Sequence, residues 1–471
     1  MTTSYDVAVI GAGSAGLTAL REVRRQTDNF VLINEGSYGS TCARVGCMPS
    51  KALIEAALAF HRRKAFATFG VSGAEKLTVD IAAVLRHVRQ LRDSFVEGML
   101  KLTDDLNDRS IAGRARFLEP QVLMVGERRV HAKKIIIATG SRPIVPKEWA
   151  TFGTKILTSN NLFEQETLPS AMAIIGMGGI GSEIAQSLAR LGIAVTAFDT
   201  ADFIAGLSDP HVNRKAVELF RAEFAMHLGH TAEPVIEGER IRVRAGRESV
   251  LVDKVIVALG RRPNVDQMGL ENLGVELDEQ GVPPFDARTM QIADLPVYIA
   301  GDANRYLPLL HEALDEGYIA GHNALRNEPV CFERRVPFAI VFTDPGIAVI
   351  GKSFDELDED ETVIGEFDFS GQARARMSGD NHGLLRVYVD RSSGRLLGAE
   401  MCVPQAEHLA HLLALAVQRK LTARELLRMP FYHPVLEEGL RSALRDAAGK
   451  LGGADVSDLD CCERQGGDAL T

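Results

Sequence analysis

Val7-Ala8-Val9-Ile10-Gly11-Ala12-Gly13-Ser14-Ala15-Gly16 is an apolar strand run that breaks into G-x-G-x-x-G, with a helical stretch following to Arg25. In that setting the glycines permit a tight turn and close backbone approach, and the helix N-terminus faces a pyrophosphate. A second strand, Phe30 to Ile33, leads to Glu35, 24 residues past Gly11, where a carboxylate is placed to accept from a ribose hydroxyl.

The pattern then recurs. Ala171 to Ile175 reads as a strand, Gly176-Met177-Gly178-Gly179-Ile180-Gly181 as a second fingerprint, and Ser182 to Leu191 as its helix. Strand Val195 to Phe198 ends at Asp199, 23 residues past Gly176. Two fingerprints imply two dinucleotides. Asp199 accepts from a free 2′-hydroxyl and repels a 2′-phosphate, and no arginine follows it closely, which favours NAD over NADP. Each unit closes on a similar run, Ile135-Ile136-Ile137-Ala138-Thr139-Gly140-Ser141-Arg142-Pro143 and Val255-Ile256-Val257-Ala258-Leu259-Gly260-Arg261-Arg262-Pro263. Pro296 to Asp302 is a further strand ending in glycine and acid, placed either to reach a ligand hydroxyl or to cap the helix after it.

Within the first unit, just past its second strand, stands Gly39-Ser40-Thr41-Cys42-Ala43-Arg44-Val45-Gly46-Cys47-Met48-Pro49-Ser50-Lys51, with a helix-forming run to Phe60. A metal here would need further ligands, and the first hundred residues offer only His61 and His87. A disulfide closing so short a loop restrains little of the unfolded chain. The positive end of the following helix, and Lys51, favour a thiolate. The pair reads as a redox disulfide. Long amphipathic helices are expected over 53–106, interrupted near Gly70 to Lys76.

From about Arg335 the pattern changes to separated strands and hairpin turns, then helices at Ala406 to Lys420 and Thr422 to Met429, an α+β arrangement. His408 and His411 beside Glu407 have a spacing a metal could use, but no further ligand lies near and no metal is assigned. In Pro430-Phe431-Tyr432-His433-Pro434-Val435-Leu436-Glu437-Glu438-Gly439, a histidine precedes proline and a carboxylate follows one helical turn on. That arrangement orients an imidazole as general base, and a redox disulfide needs a group that takes and returns thiol protons.

The composition fits these readings. A chain of 471 residues exceeds what one core serves, so two to four domains are expected. A net charge of −10 argues against nucleic acid or an anionic membrane as partner. No apolar run reaches the length of a membrane-spanning helix, and Met1-Thr2-Thr3-Ser4 passes straight into the first strand, leaving no room for a signal or transit peptide. Six cysteines do not make a disulfide scaffold in this length, and a cytoplasmic location is expected.

Cys42-x-x-x-x-Cys47-Met48-Pro49-Ser50-Lys51, the two fingerprints, Ala138-Thr139-Gly140, Gly301-Asp302 and His433-Pro434 with Glu438 stand in one order along the chain. In that order they resemble the class I pyridine nucleotide–disulfide oxidoreductases over essentially residues 4 to 448, and within them the dihydrolipoamide dehydrogenase branch. Pro-Ser-Lys after the second cysteine and the acid at Asp199 both fit that branch, whereas glutathione reductases place basic residues for NADPH. The resemblance implies an α/β fold with two Rossmann-like dinucleotide-binding domains and a C-terminal α+β dimerisation domain. Its expected division is 1–143 and 265–334 for FAD, 144–264 for NAD, 335–448 for dimerisation, and a tail over 449–471. It places FAD on Gly11, Gly13, Gly16, Glu35, Thr41, Lys51, Gly113, Ala138, Thr139, Gly140 and Asp302, and NAD on Gly176, Gly178, Gly181, Asp199 and Gly260.

The resemblance further implies Cys42 as the interchange sulfur, Cys47 as the sulfur against the flavin, and Glu183 as the partner of Lys51. His433, held by Glu438, is implied to act from the second subunit of a homodimer. The implied partner is a lipoyl-bearing acyltransferase or lipoyl protein of a 2-oxo acid dehydrogenase or glycine cleavage complex. Three departures stand out. Gly346 replaces a frequent Glu, Phe431 replaces a second His, and the chain ends in a Gly- and Asp-rich tail with Cys461-Cys462. Such a vicinal pair is similar to the tails of mercuric reductases and long-tailed thioredoxin reductases, although mercuric reductases lack the His-Pro base. The alternatives are therefore a metal-ion or other disulfide reductase using that tail, and a non-catalytic flavoprotein subunit of a larger complex.

Overall fold

The computed structural model describes residues 3–452, Leu102 excepted, together with Asp458 and Leu459. The Cys461-Cys462 pair lies outside the described residues.

The first sheet grows from strand β1 (Thr3–Ile10), which runs parallel to β2 (Phe30–Asn34) with Ile10 opposite Ile33. On its other side β1 is parallel to β3 (Arg128–Ile137), with Ile10 opposite Ile137. All five residues of β2 are buried, as a parallel strand covered on both faces requires. Helix α1 (Ser14–Arg24) crosses from β1 to β2. The far strand β6 (Val297–Ile299) pairs with β3, setting Ile299 opposite Ile137. Strands 110–112, 122–125 and 115–119 complete seven. One register line therefore joins Ile10, Ile33, Ile137 and Ile299, and the residues just past it, Gly11, Asn34, Ala138 and Ala300, form the carboxyl edge where an open α/β sheet binds its ligand.

The second sheet repeats this plan with five parallel strands. Strand β4 (Ala171–Ile175) pairs with β5 (Ala194–Phe198), with Ile175 opposite Phe198. Helix α4 (Gly179–Arg190) is the crossover, and a three-stranded antiparallel meander over 233–252 covers the sheet through Ile241, Val243 and Val252.

The third unit is a five-stranded antiparallel sheet of β7 (Phe338–Val341), β8 (Gly346–Gly351), β9 (Thr362–Asp368), β10 (Leu384–Asp390) and β11 (Leu396–Val403), ordered β7-β8-β11-β10-β9. Its core packs Leu385, Val387 and Met401 against Leu409 and Leu413 of one helix and Leu440 and Leu444 of another. Gly346 meets that helix layer closely: a Cβ there would stand 3.0 Å from Ala406 Cβ, so a larger side chain would push the first helix off the sheet. The architecture is the expected one, two Rossmann-like units and an α+β domain.

Between β2 and β3 lie α2 (Cys47–His61) and α3 (Ile81–Leu100), separated by short turns near Gly70 to Lys76 as the sequence suggests. Helix α3 buries only Leu85 and Val88, leaving Leu91 and Phe95 exposed. Among the described residues no helix is long and apolar enough to cross a membrane.

Candidate active site

The two glycine loops superpose in their bonding. Gly11 has φ +110° and Gly176 φ +101°, and a Cβ would lie 2.2 Å from Ala138 O in the first and 2.4 Å from Ala258 O in the second, so neither position admits a side chain. Gly11 N donates to Ile33 O and Gly176 N to Phe198 O, both at 2.8 Å. The N-caps of α1 and α4, Gly13 and Gly178, make no side-chain cap bond, so first-turn N–H groups remain free to receive an anion.

The repeat also corrects one expectation. Met177 N donates to Asp199 Oδ2, and the matching donor, Ala12 N, reaches Asn34 Oδ1 at 3.0 Å. Asn34, not Glu35, therefore occupies the position of Asp199. Both lie 23 residues past the first glycine, and both follow directly on the strand residue paired with the residue before that glycine. Glu35 sits one residue further, where the chain has turned outward. It is exposed and faces Arg114 across 3.4 Å, while Asn34 is buried.

Around the first loop the remaining candidates converge. Gly113 N donates to Asn34 O, which brings that glycine to the same edge. Thr139 Oγ1 is buried without a hydrogen-bond partner, an orphan that a bound group would satisfy. Asp302 Oδ2 accepts from Ser141 Oγ at 2.6 Å. Arg261 donates from Nε to Ser141 Oγ and from Nη2 to Ser141 O, each at 2.7 Å. Burial pulls the Arg261 guanidinium below its ordinary value, so it favours an anionic neighbour. Arg261 and Ser141 went unnoticed in the sequence, although the echo that carries them was visible: the two runs form an antiparallel ladder with Arg262 opposite Arg142 and Pro263 opposite Ser141. The open loop N–H groups, the orphaned hydroxyl and the half-buried Arg261 cation fit a dinucleotide.

The cysteines lie on either side of a helix start. A short helix, Thr41–Arg44, is capped by Ser40 Oγ accepting from Ala43 N at 3.1 Å, and α2 begins at Cys47. Both cysteines stand as half-buried free thiols. The hydrogen bond from Cys42 holds the Cys47 thiol down to about 7, helped by Lys51 and opposed by burial, and the same bond pushes Cys42 up. Lys51 Nζ is 2.9 Å from both carboxylate oxygens of Glu183 and 4.5 Å from the ring centroid of Phe342. Phe342 N donates to Glu183 Oε1 at 2.9 Å. Phe342 escaped the sequence reading because it arrives from the third domain.

His433 and Glu438 pair an exposed imidazole with a half-buried carboxylate. His433 Nδ1 lies 3.1 and 3.2 Å from the two Glu438 oxygens, and the bond draws the carboxyl below its usual range. An ionised carboxylate only accepts, so Nδ1 carries the proton and Nε2 is left as the acceptor. The His433 side chain is 72% exposed. Phe431 lies under Arg441, whose guanidinium is 5.7 Å from its ring. His411 bonds the carbonyl of Glu407, and among the described residues no His, Cys, Asp and Glu cluster suits a metal.

Comparison with known proteins gives the family directly. The sequence pattern of the pyridine nucleotide-disulphide oxidoreductases matches residues 5–317, and that of their dimerisation domain matches residues 337–444. The chain is 31% identical to a mercuric reductase of Shigella flexneri, over 97% of this chain and 82% of that one. It is equally 31% identical to a dihydrolipoyl dehydrogenase of Haloferax volcanii, over 96% and 98%. A dihydrolipoyl dehydrogenase of Bacillus subtilis is 30% identical over 94% and 98%. The fold matches the HOCl-induced flavoprotein disulfide reductase RclA of Escherichia coli in its Cu(II) complex, with a TM-score of 0.80 at 23% identity over 94% and 99%. LpdA of Mycobacterium tuberculosis matches with 0.81 at 23% over the same shares. With both patterns together spanning nearly the whole chain, this protein belongs to the pyridine nucleotide-disulphide oxidoreductases, flavoenzymes that work with FAD and a nicotinamide dinucleotide.

Proposed function

We propose that the protein is a dihydrolipoamide dehydrogenase that oxidises a protein-bound dithiol to its disulfide with NAD⁺ as acceptor. The observation that carries this reading is the His433–Glu438 pair: an exposed imidazole locked through Nδ1, with Nε2 free, is what a dithiol substrate needs and a metal ion does not. FAD, when bound, supplies the two-electron carrier between the dithiol and the nicotinamide. FAD is assigned to the first loop (Gly11, Gly13, Gly16), with Asn34 in the place expected for Glu35, and to Thr41, Lys51, Gly113, Ala138, Thr139, Gly140 and Asp302. NAD is assigned to Gly176, Gly178, Gly181, Asp199 and Gly260. The division at 143, 264, 334 and 448 is kept for the domains.

In the proposed reaction His433 Nε2 takes a proton from one substrate thiol. The resulting thiolate attacks Cys42 of the oxidised Cys42–Cys47 pair, forming a mixed disulfide and releasing Cys47 as thiolate. The second substrate thiol then displaces Cys42, so the substrate leaves as a disulfide, Cys42 takes up a proton, and the two electrons remain on the enzyme pair. Lys51 holds the Cys47 thiolate, and Glu183 fixes Lys51. The dimerisation-domain pattern over 337–444 supports a homodimer, in which His433 of one chain serves the cysteines of the other, with a lipoyl-bearing protein as the physiological partner. The test is turnover of dihydrolipoamide with NAD⁺ beside reduction of other disulfides and of Hg(II) with NADH and NADPH. Faster reduction of one of the latter would replace this reading.

A second reading, a metal-ion or disulfide reductase that uses Cys461 and Cys462, is favoured by one observation besides the mercuric reductase likeness. Asp458 is ion-paired to Arg441 and Arg445, so the chain returns to the helix that carries Glu438 shortly before the cysteine pair. Replacing both tail cysteines with alanine leaves dihydrolipoamide oxidation intact on the first reading and abolishes turnover on the second.

A further inference from the structure

Helix α4 carries Glu183, Gln186 and Arg190 three and four residues apart, hence on one face. All three are buried, and all three reach the same short segment of the third domain, 342–344. Glu183 accepts from Phe342 N at 2.9 Å. Two residues on, Gln186 grips both sides of Asp344, accepting from Asp344 N and donating to Asp344 O, each at 2.9 Å. Arg190 donates to Asp344 Oδ2 at 2.9 Å and to Asp344 O at 2.5 Å, while its other face meets Glu223 at 2.7 and 2.8 Å.

Most of these bonds go to backbone groups, so they fix the path of the segment rather than recognise its side chains. A buried ion-pair cluster adds little net stability over a well-packed apolar equivalent, because desolvation offsets the attraction. What it does provide is a single path for the chain through the junction. That path ends at Phe342, whose N–H and ring both bear on the Lys51–Glu183 pair. Lys51 in turn stands one helical turn after Cys47 on α2.

We propose that Arg190, with Gln186, is a positioning residue for the redox pair: it fixes segment 342–344 so that Phe342 holds Lys51 and Glu183 in place behind Cys47. The proposal rests on the reading of Cys42 and Cys47 as the redox pair. It ties the third domain, through α4, to the charge that stabilises the Cys47 thiolate. The charged groups that face Cys47 are Lys51 and Glu183, with Arg261 across the dinucleotide site and Cys42 as hydrogen-bond partner. Those that face Arg190 are Glu223, Asp344 and the half-buried His61, whose protonation burial and Arg190 both disfavour. Of the residues around Cys47, Lys51 lowers its titration more than Glu183 raises it. Loosening the pair therefore moves Cys47 upward.

The experiment uses the FAD-loaded holoenzyme in a Cys42→Ser background, where Cys47 is the lone thiol of the site. Its alkylation by iodoacetamide is followed against pH and read at the Cys47 peptide by mass. Arg190→Met is expected to raise the midpoint by about 0.5–1 pH unit, a roughly three- to tenfold loss of alkylation on the acid side, and Arg190→Lys by less. Because Arg190→Met leaves the partly buried carboxylates of Glu223 and Asp344 without their guanidinium partner, Gln186→Leu is measured beside it, since it loosens the same segment without removing a charge. An unmoved midpoint in whichever of these variants folds makes Arg190 merely structural and overturns the proposal. Full dihydrolipoamide turnover by the Cys42→Ser background itself overturns instead the redox reading on which the proposal rests.

Discussion

Asn34 and Asp199 differ by one amide, and that difference separates the two dinucleotide sites. At the second site, a 2′-phosphate would bring about 1.5–2 further negative charges beside Asp199, whose oxygens already hold Met177 N and Ala201 N. NAD(H) is therefore expected to exceed NADP(H) in kcat/KM, with Asp199→Ala narrowing the gap by about tenfold or more; equal use of both by the unaltered enzyme contradicts the assignment. At the first site Asn34→Ala frees Ala12 N from its acceptor and should speed loss of flavin, read as fluorescence released on dilution. Glu35→Gln removes only a half-exposed pair with Arg114, worth roughly 0–1 kcal/mol, and should release flavin no faster than the parent. If the two variants exchange behaviour, the register argument fails. The sequence already held this answer in the shared 23-residue spacing, but the nearest carboxylate drew the reading one residue too far. Arg261 and Phe342 could not be found that way, since each reaches the site from a different part of the chain and only tertiary packing brings them there.

At the scale of elements, the start of α2 places Cys47 where the helix end, Lys51 and the Cys42 hydrogen bond all favour a thiolate. The strand–loop–helix units were legible because glycine spacing and apolar runs are local properties. The junction of α4 with segment 342–344 was not, because its bonds join groups more than 150 residues apart. With Cys47 against the flavin, as proposed, the two-electron-reduced enzyme is expected to show a long-wavelength charge-transfer band. Deprotonation occurs above the titration point, so the band is expected at full strength above pH 7 and should fade as pH falls through about 7. Cys47→Ser should abolish it, and Cys42→Ser should retain it. Loss of the band in Cys42→Ser alone would exchange the two roles.

At the scale of the whole molecule His433 is exposed on the domain whose pattern is that of dimerisation, and the proposed mechanism brings it to the cysteines of a second chain. Fold class and domain order were open to the sequence because each unit carries its own pattern, whereas which surfaces of two chains meet is written in no single motif. Chains carrying Cys42→Ser and chains carrying His433→Gln, refolded together, should form mixed dimers with one intact composite site and recover activity that neither parent shows. Absence of recovery would place base and disulfide in one chain. The most direct test of the central claim is the His433→Gln variant followed by two assays on the same preparation. Dihydrolipoamide oxidation should fall by about 10²–10⁴-fold, the usual contribution of a positioned general base, while flavin reduction by NADH in stopped flow stays near the parent rate. Normal dihydrolipoamide turnover in that variant would contradict the account.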